Sequence, residues 1–256
     1  MKILIYNQKQ NPRFGSLVSV LEKIDCLVGY MSGQVNSQDI SRFNPDIIIH
    51  DIDNVIEFPY KGDFISININ ETSSPSSFSL MDMNHPNYLS PFTKYRNLNF
   101  ENKAKYRSDV MYIGDPSVFG NTLYKIKDLN FKFFTDKLIP IKGYCGICPS
   151  ESYFKLYNQS KACLVPNQES KYRLYDIIAA NGYPVIFNGD EDEFIEEINS
   201  VVKGIRVKEP EITRSEILQK HTNFDRMSEI FSKIGLNKLS QMVKKSKNKE
   251  VVIWKL

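Results

Sequence analysis

The sequence predicts an α/β protein made of two doubly wound halves, the N-terminal one small. Three observations carry this. Short apolar, β-branched runs such as Ile47-Ile-Ile49 have the composition of strands buried in a parallel sheet. Between these runs lie amphipathic stretches of helical length, so strands and helices alternate. Residues 151–187, ESYFKLYNQSKACLVPNQESKYRLYDIIAANGYPVIF, repeat the scheme in one piece: helix, strand, polar loop, helix, glycine turn, strand. Ligands of such sheets gather at the carboxyl ends of the strands.

In the first half, Lys2–Tyr6 reads as a strand, and a polar loop, Asn7–Ser16, leads to an amphipathic helix around Leu17–Ile24. Asp25–Tyr30 gives a second short strand. Phe43-Asn-Pro-Asp46 ends a helical stretch and launches the strand Ile47–Ile49, and Phe64–Ile69 is a further strand. Glu71–Pro91, rich in Ser, Pro, Asn and Met, shows no period and reads as a loop at the mouth of a cleft. Strand Val110–Gly114 opens the second half, followed by strand-like runs at Phe131–Phe134, Ala162–Val165 and Tyr183–Phe187. Acidic Asp190–Glu197 begins a surface helix, since Asp and Glu suit an N-terminal turn. Arg214–Gly235 reads as mostly helical, and the tail 233–255 holds seven Lys against one acid, Glu250. The expected domains are 1–105 and 106–256, the second carrying the basic C-terminal helix and tail.

An apolar fraction of 41% and a charged fraction of 25% are ordinary for a globular chain. A net charge of +3 is too small to mark a nucleic-acid binder by itself but leaves room for local basic patches. No apolar run reaches the roughly 18 residues of a membrane span. Met1–Tyr6 lacks the cleavage region of a signal peptide, so the expected location is the cytoplasm, or a host's cytoplasm if the gene is a phage's. There are four cysteines. Cys145-Gly-Ile-Cys148 has the spacing of a redox pair or half a zinc site, but it has no second ligand pair nearby in sequence and lies mid-chain. The expectation is two small residues in a tight loop, and no metal.

Arg173 and Asp176, three apart, share one face of the helix that follows the polar loop. A helix start offers N–H groups and a positive dipole end to phosphate. An acid beside it can hold neutral hydroxyls such as those of a ribose. The pattern points to a nucleotide site.

Four fragments, in order over residues 106–235, resemble the donor-binding half of the group-1 GT-B glycosyltransferases, in the branch that includes spore-maturation-type enzymes. They are Ser108-Asp-Val-Met-Tyr-Ile-Gly114, Leu156-Tyr-Asn-Gln-Ser-Lys-Ala-Cys-Leu164, Tyr172-Arg-Leu-Tyr-Asp-Ile-Ile-Ala-Ala-Asn-Gly182 (residues 172–182) and His221-Thr-Asn-Phe-Asp-Arg226. The resemblance implies two Rossmann-like domains in a GT-B arrangement. It implies transfer of a sugar from a nucleotide-sugar, a UDP-sugar first among them, with no cofactor beyond that co-substrate. By the same resemblance Asp176 stands where the family's Glu meets the ribose, shorter by a methylene. Arg173 would neutralise the diphosphate through its planar fork of donors. Lys171 and the N–H groups around Ser170 are secondary candidates, Gln168 or Glu169 falls near a further family acid, and Tyr144 and Gly146 complete the expected nucleotide-sugar-binding set. One departure stands out. Many family members carry an Arg and a Lys after the first strand of this domain, whereas Gly114-Asp-Pro-Ser-Val-Phe-Gly120 has no cation. Either Arg173 and Lys171 carry that charge, or Arg13 reaches across, or donor binding has decayed.

The first half should supply the acceptor side. His50, Asp51 and Asp53 follow or end the strand at Ile47–Ile49, where a carboxylate or imidazole can take the acceptor's proton. An acid placed there to form a turn is an equal reading. His85 reads as a loop histidine and His221 as a packing or capping one. Basic Lys94–Arg107, with Tyr95, Phe100 and Tyr106 interleaved, and the Lys-rich tail are compatible with nucleic-acid contact. A modified base in phage DNA is therefore the first acceptor to consider. A glycan or protein acceptor, and a non-catalytic GT-B-like protein binding a nucleotide or nucleic acid, are the alternatives.

Overall fold

The structure is a computed structural model. It describes residues 1–7, 9, 11–32, 37–51, 65–70, 78–80, 85–93, 103–126, 128–138, 142–149, 152–167, 171–205 and 210–252. The chain forms two compact units, Met1–Tyr95 with Lys220–Leu256, and Arg96–Gln219. The boundary expected at 105/106 thus falls at 95/96, and the C-terminal helices belong to the first unit rather than the second.

The first unit is built on β1 (Lys2–Tyr6), α1 (Pro12–Val18), β2 (Leu27–Met31), α2 (Ser37–Phe43), β3 (Ile47–His50), β4 (Ile65–Asn70) and β5 (Phe78–Ser79). The strands form one parallel sheet in the order β2-β1-β3-β4-β5. Ile3 faces Ile47, Ile5 faces Ile49, and Ile49 faces Ile67, all buried, as β-branched runs covered on both faces require. The helix read at Leu17–Ile24 starts earlier. Asn11 caps it, accepting from the N–H groups of Arg13 and Phe14, and Pro12 fills the first turn. Arg13 and Gly15 therefore sit in a helix rather than a loop, and Ser19–Lys23 continues as a 3₁₀ turn. Within Glu71–Pro91, Phe78, Leu80 and Leu89 are buried, so the described part of that stretch packs as sheet edge and core.

The second unit contains β6 (Ser108–Ile113), α3 (Thr122–Lys125), β7 (Phe131–Phe134), α4 (Tyr153–Gln159), β8 (Ser160–Pro166), α5 (Lys171–Ala179), β9 (Pro184–Phe187), α6 (Glu191–Val202) and α7 (Arg214–Lys220), whose last residue falls in the first unit. Its sheet is parallel, in the order β7-β6-β8-β9. Alternate residues serve opposite faces. Val110, Tyr112, Phe133, Leu164 and Val185 pack with Phe194, Ile198 and Val201 of α6. Met111, Cys163 and Val165 pack with Phe154 and Tyr157 of α4, Tyr175 and Ile177 of α5 and Ile217 of α7. Helices on both faces make the unit doubly wound and Rossmann-like.

The chain returns to the first unit through α8 (Asn223–Lys233) and α9 (Asn237–Val252). Thr93 N–H donates to the His221 carbonyl and Asn223 N–H to the Thr93 carbonyl, both at 2.9 Å. The Asn223 amide donates to Ser16 O at 3.0 Å, and Arg226 Nε to Ser90 O at 2.9 Å. Leu239 and Val243 bury one face of α9, and Ser246 Oγ donates to Lys23 O at 2.6 Å. These side-chain bonds to distant backbone carbonyls explain why the C-terminal residues fold with the N-terminal ones.

Candidate functional site

In an open parallel sheet the crevice for a ligand opens where the strand order reverses. In the second unit that point lies between β6 and β8, and α5 starts beside it. The last loop residues before α5, Ser170 with Gln168 and Glu169, lie outside the described residues. Arg173, in the first turn of α5, donates from its guanidinium to the carbonyl oxygen of Ile113, the last residue of β6. Its charge also stands over the Tyr112 ring, 5.1 Å from the centroid. The positive charge is thereby fixed at the carboxyl end of the sheet.

Gly114 makes that approach possible. Its φ is +138°, and a Cβ there would lie 2.7 Å from Tyr112 Oη and 3.2 Å from an Arg173 terminal nitrogen. A side chain at 114 would displace the guanidinium and strain the backbone. Asp176 lies one turn further along α5, half-buried. Both groups act on buried Tyr157 of α4. Its hydroxyl pKa is held well above the ordinary value, first by burial, with Arg173 opposing and Asp176 reinforcing the shift. The expected Arg–acid pair is therefore on one helix face, turned toward α4 and the end of β6.

A cation reaches the segment 114–120 from the loop after β7. Lys137, just past β7, pairs with Asp115, whose carboxyl is held down to about 2, first by that ammonium and then by the Ser117 N–H. Asp115 in turn caps the 3₁₀ turn Pro116–Phe119. Sequence reasoning missed Lys137 because it lies 22 residues from its partner and in no motif. Its one signal is its place immediately after a strand end.

Lys171, the exposed first residue of α5, faces elsewhere. It lines a cavity of about 880 Å³ with Tyr175, Asn167, Glu197, Glu211 and Glu216. Arg173 and Asp176 are not among the lining residues. Three carboxylates around one lysine make that cavity a poor place for a diphosphate. Tyr144 and Gly146 lie along β7, the outer strand. Phe133 N–H donates to Gly143 O at 3.0 Å, and Thr135 N–H to Gly146 O at 3.0 Å. The Tyr144 ring packs on Phe133 with centroids 5.6 Å apart. The segment thus extends the sheet beyond the strand that Arg173 meets.

In the first unit the order reverses between β1 and β3. Asp51, 1% exposed, sits there and accepts from Lys9 N–H at 3.1 Å, tying the loop after β1 to the end of β3. Tyr6 beside it has its hydroxyl pKa raised, by burial first and by Asp51 second. His50 is 5% exposed and bonds Ser66 Oγ through Nε2 at 3.0 Å. Burial lowers its pKa to about 4, so the ring is neutral near pH 7. Asp53 lies outside the described residues.

The remaining candidates have structural work. His221 Nδ1 lies 2.7 Å from an Arg226 terminal nitrogen, within the network that anchors α8. His85 Nδ1 accepts from Asn87 N–H at 3.0 Å inside a turn. Burial raises the pKa of Cys145 and pushes Cys148 up to about 11, opposite to what a reactive thiolate needs. Among the described residues no cluster of His, Cys, Asp and Glu could hold a metal ion, and no helix is long and apolar enough to cross a membrane.

No family model matches the sequence, and no curated protein matches it. Among solved structures the chain is similar to the glycosyltransferase SnogD from Streptomyces nogalater, at 9% identity over 97% of this chain and 95% of that one, with a TM-score of 0.39. It is also similar to the wall teichoic acid polymerase TagF, at 8% identity over 98% and 89%, with a TM-score of 0.42. An NADPH-dependent glyoxylate/hydroxypyruvate reductase from Sinorhizobium meliloti matches at 11% identity over 83% of each chain, with a TM-score of 0.21. At these identities and scores the likenesses assign neither a family nor an activity.

Proposed function

We propose that the protein transfers a sugar from a nucleotide-sugar, in the first instance a UDP-sugar, to an acceptor hydroxyl. The observation that carries this reading is the Arg173 guanidinium, fixed at the carboxyl end of β6 beside the switch point of a doubly wound sheet. The GT-B resemblance of the sequence agrees with it.

In this reading the donor's diphosphate lies against Arg173 and the first turn of α5, with Lys137 as a second cation and Asp176 toward the ribose. Departure of the nucleoside diphosphate develops negative charge, which a fixed guanidinium and a helix N-terminus stabilise without reorganising. The acceptor hydroxyl loses its proton to a base drawn from Asp51, Asp53 and His50. Asp51 is the first of these, because it follows the end of β3 at the point where the strand order reverses, and the His50 ring is engaged with Ser66 Oγ. The acceptor we place first is a modified DNA base, ahead of a glycan or a protein.

A second reading, nucleotide binding without transfer, is favoured by one observation: Lys137 is already engaged by Asp115. A thermal-shift screen of nucleotide-sugars and free nucleotides, followed by a turnover assay on each hit, separates the two. A donor at a hundredfold its Kd stabilises by about 2.7 kcal/mol, a readily measured shift. Stabilisation with turnover supports transfer, and stabilisation without turnover toward any acceptor supports the second reading. No shift from any nucleotide or nucleotide-sugar overturns both.

A further inference from the structure

Positive charge is unevenly spread within the first unit. Residues 1–95 hold 7 Lys and Arg against 10 Asp and Glu, a net of −3, whereas residues 220–256 hold 9 against 3, a net of +6. Much of the excess is on α9, with Lys238, Lys244, Lys245, Lys247 and Lys249.

The helix sorts these lysines by role. Lys247 is buried and bonds both oxygens of Asp225, at 2.8 and 2.6 Å, on the face that carries Leu239, Ser240 and Val243. Lys238, Lys244, Lys245 and Lys249 are exposed. At 100° per residue, Lys238, Lys245 and Lys249 fall within about 40° of one another, opposite the buried face. At 1.5 Å per residue they are spaced about 10 and 6 Å along the axis, a stripe of about 16 Å. Gln241 and Asn248, both exposed, lie along one side of the stripe, and Lys244 stands further round the helix on that side. Lys23, exposed on the 3₁₀ turn, adjoins it, since its carbonyl accepts from Ser246 Oγ.

We propose that this face of α9 docks the sugar-phosphate backbone of a nucleic acid. A repeating row of negative charge matches the stripe along its length, and each phosphate neutralised by a lysine releases a counterion. Gln241 and Asn248 add donors for phosphate oxygens. Among the described residues the exposed positions of the stripe are polar, Met242 at its edge is half-buried, and Leu239 and Val243 commit the opposite face to the protein's own core. A helix that lies in a membrane surface needs that face for lipid. The inference rests on the charge arrangement of α9 and not on the donor site, so failure of the donor assignment leaves it standing.

The test is fluorescence anisotropy of a short mixed-sequence DNA duplex, titrated with full-length protein at several salt concentrations. The variant Lys238→Gln/Lys245→Gln/Lys249→Gln changes only exposed positions, and an unchanged melting temperature checks its fold. Binding at low salt should weaken about tenfold or more, and the slope of log K against log salt should become shallower by about 2–3, near 0.9 per lost phosphate contact. Lys142→Gln/Lys203→Gln, exposed lysines of the second unit, should leave both quantities unchanged. Equal affinity and slope for the α9 variant overturns the proposal. So does tighter binding to phosphatidylserine vesicles than to the duplex with the same dependence on these lysines, which would make the surface a membrane contact.

Discussion

Replacing Asp225 by Ala tests how the C-terminal helices are held to the first unit. Its carboxylate accepts from Thr222 N–H at 2.9 Å and Thr222 Oγ1 at 2.7 Å, forming the start of α8, and takes the buried ammonium of Lys247. Loss of a helix cap costs about 1 kcal/mol. Leaving Lys247, whose side chain is 11% exposed, without its counter-charge costs about 2–3 kcal/mol more. The sum, about 3–4 kcal/mol, corresponds to a drop in Tm of about 10 °C for a unit of this size. Lys247→Met removes the ammonium but leaves the cap, so it should cost only about 1 kcal/mol, and the double variant Asp225→Ala/Lys247→Met should be more stable than Asp225→Ala alone. Thermal and urea unfolding followed by circular dichroism measure all three. Equal losses in the two single variants, or no recovery in the double, would refute the assignment of Lys247 as a buried charge dependent on Asp225.

Further outcomes follow from the same geometry. Burial lowers the His50 pKa from 6.5 to about 4. The unfolded chain therefore takes up this proton first, and stability present above about pH 6.5 should fall by about 3 kcal/mol as pH drops to about 4. His50→Gln should flatten that part of the profile, and an NMR titration of the ring with a midpoint near 6.5 would contradict it. Cys145 and Cys148, with raised pKa values, should alkylate slowly at neutral pH. Metal analysis finding about one zinc per chain, lost in Cys145→Ser, would overturn their incidental role. If Asp51 is the acceptor base, Asp51→Asn should lower kcat by roughly 10²–10⁴ with donor affinity unchanged. Full turnover in a folded Asp51→Asn would move that role, with Asp53 next to examine.

The sheets were the legible part of the sequence. Ile47–Ile49, Phe131–Phe134 and the runs ending at Val165 and Phe187 all lie in the strands their β-branched and aromatic composition indicates. So do Arg173 and Asp176 on their shared helix face, because both inferences use only local periodicity. What failed was decided by distant partners or by local caps. The Asn7–Ser16 reading overlooked that Asn11-Pro12 is a helix start, which moves Arg13 onto α1. The placement of residues 220–256 with the second half came from chain order, whereas Asn223 bonds Ser16 and Arg226 bonds Ser90. Lys171 was grouped with Arg173 by adjacency, yet two residues along a helix is about 200° of rotation, enough to face a cavity that Arg173 does not line. Lys137 could not be found from a motif, since only the neighbouring β6 and β7 ends bring it to Asp115.

The most direct measurement of the central claim is calorimetric titration of UDP and a UDP-sugar into the protein and into Arg173→Ala. A guanidinium donating to a diphosphate contributes about 1.5–3 kcal/mol, so affinity should fall about 10- to 150-fold. Asp176→Ala should lose less, about 1 kcal/mol, or several-fold. Arg173→Ala also gives up the bond to Ile113, so a cooperative melt must first establish that the variant is folded. Nucleotide affinity that is unchanged in a folded Arg173→Ala would contradict a donor site at the end of β6.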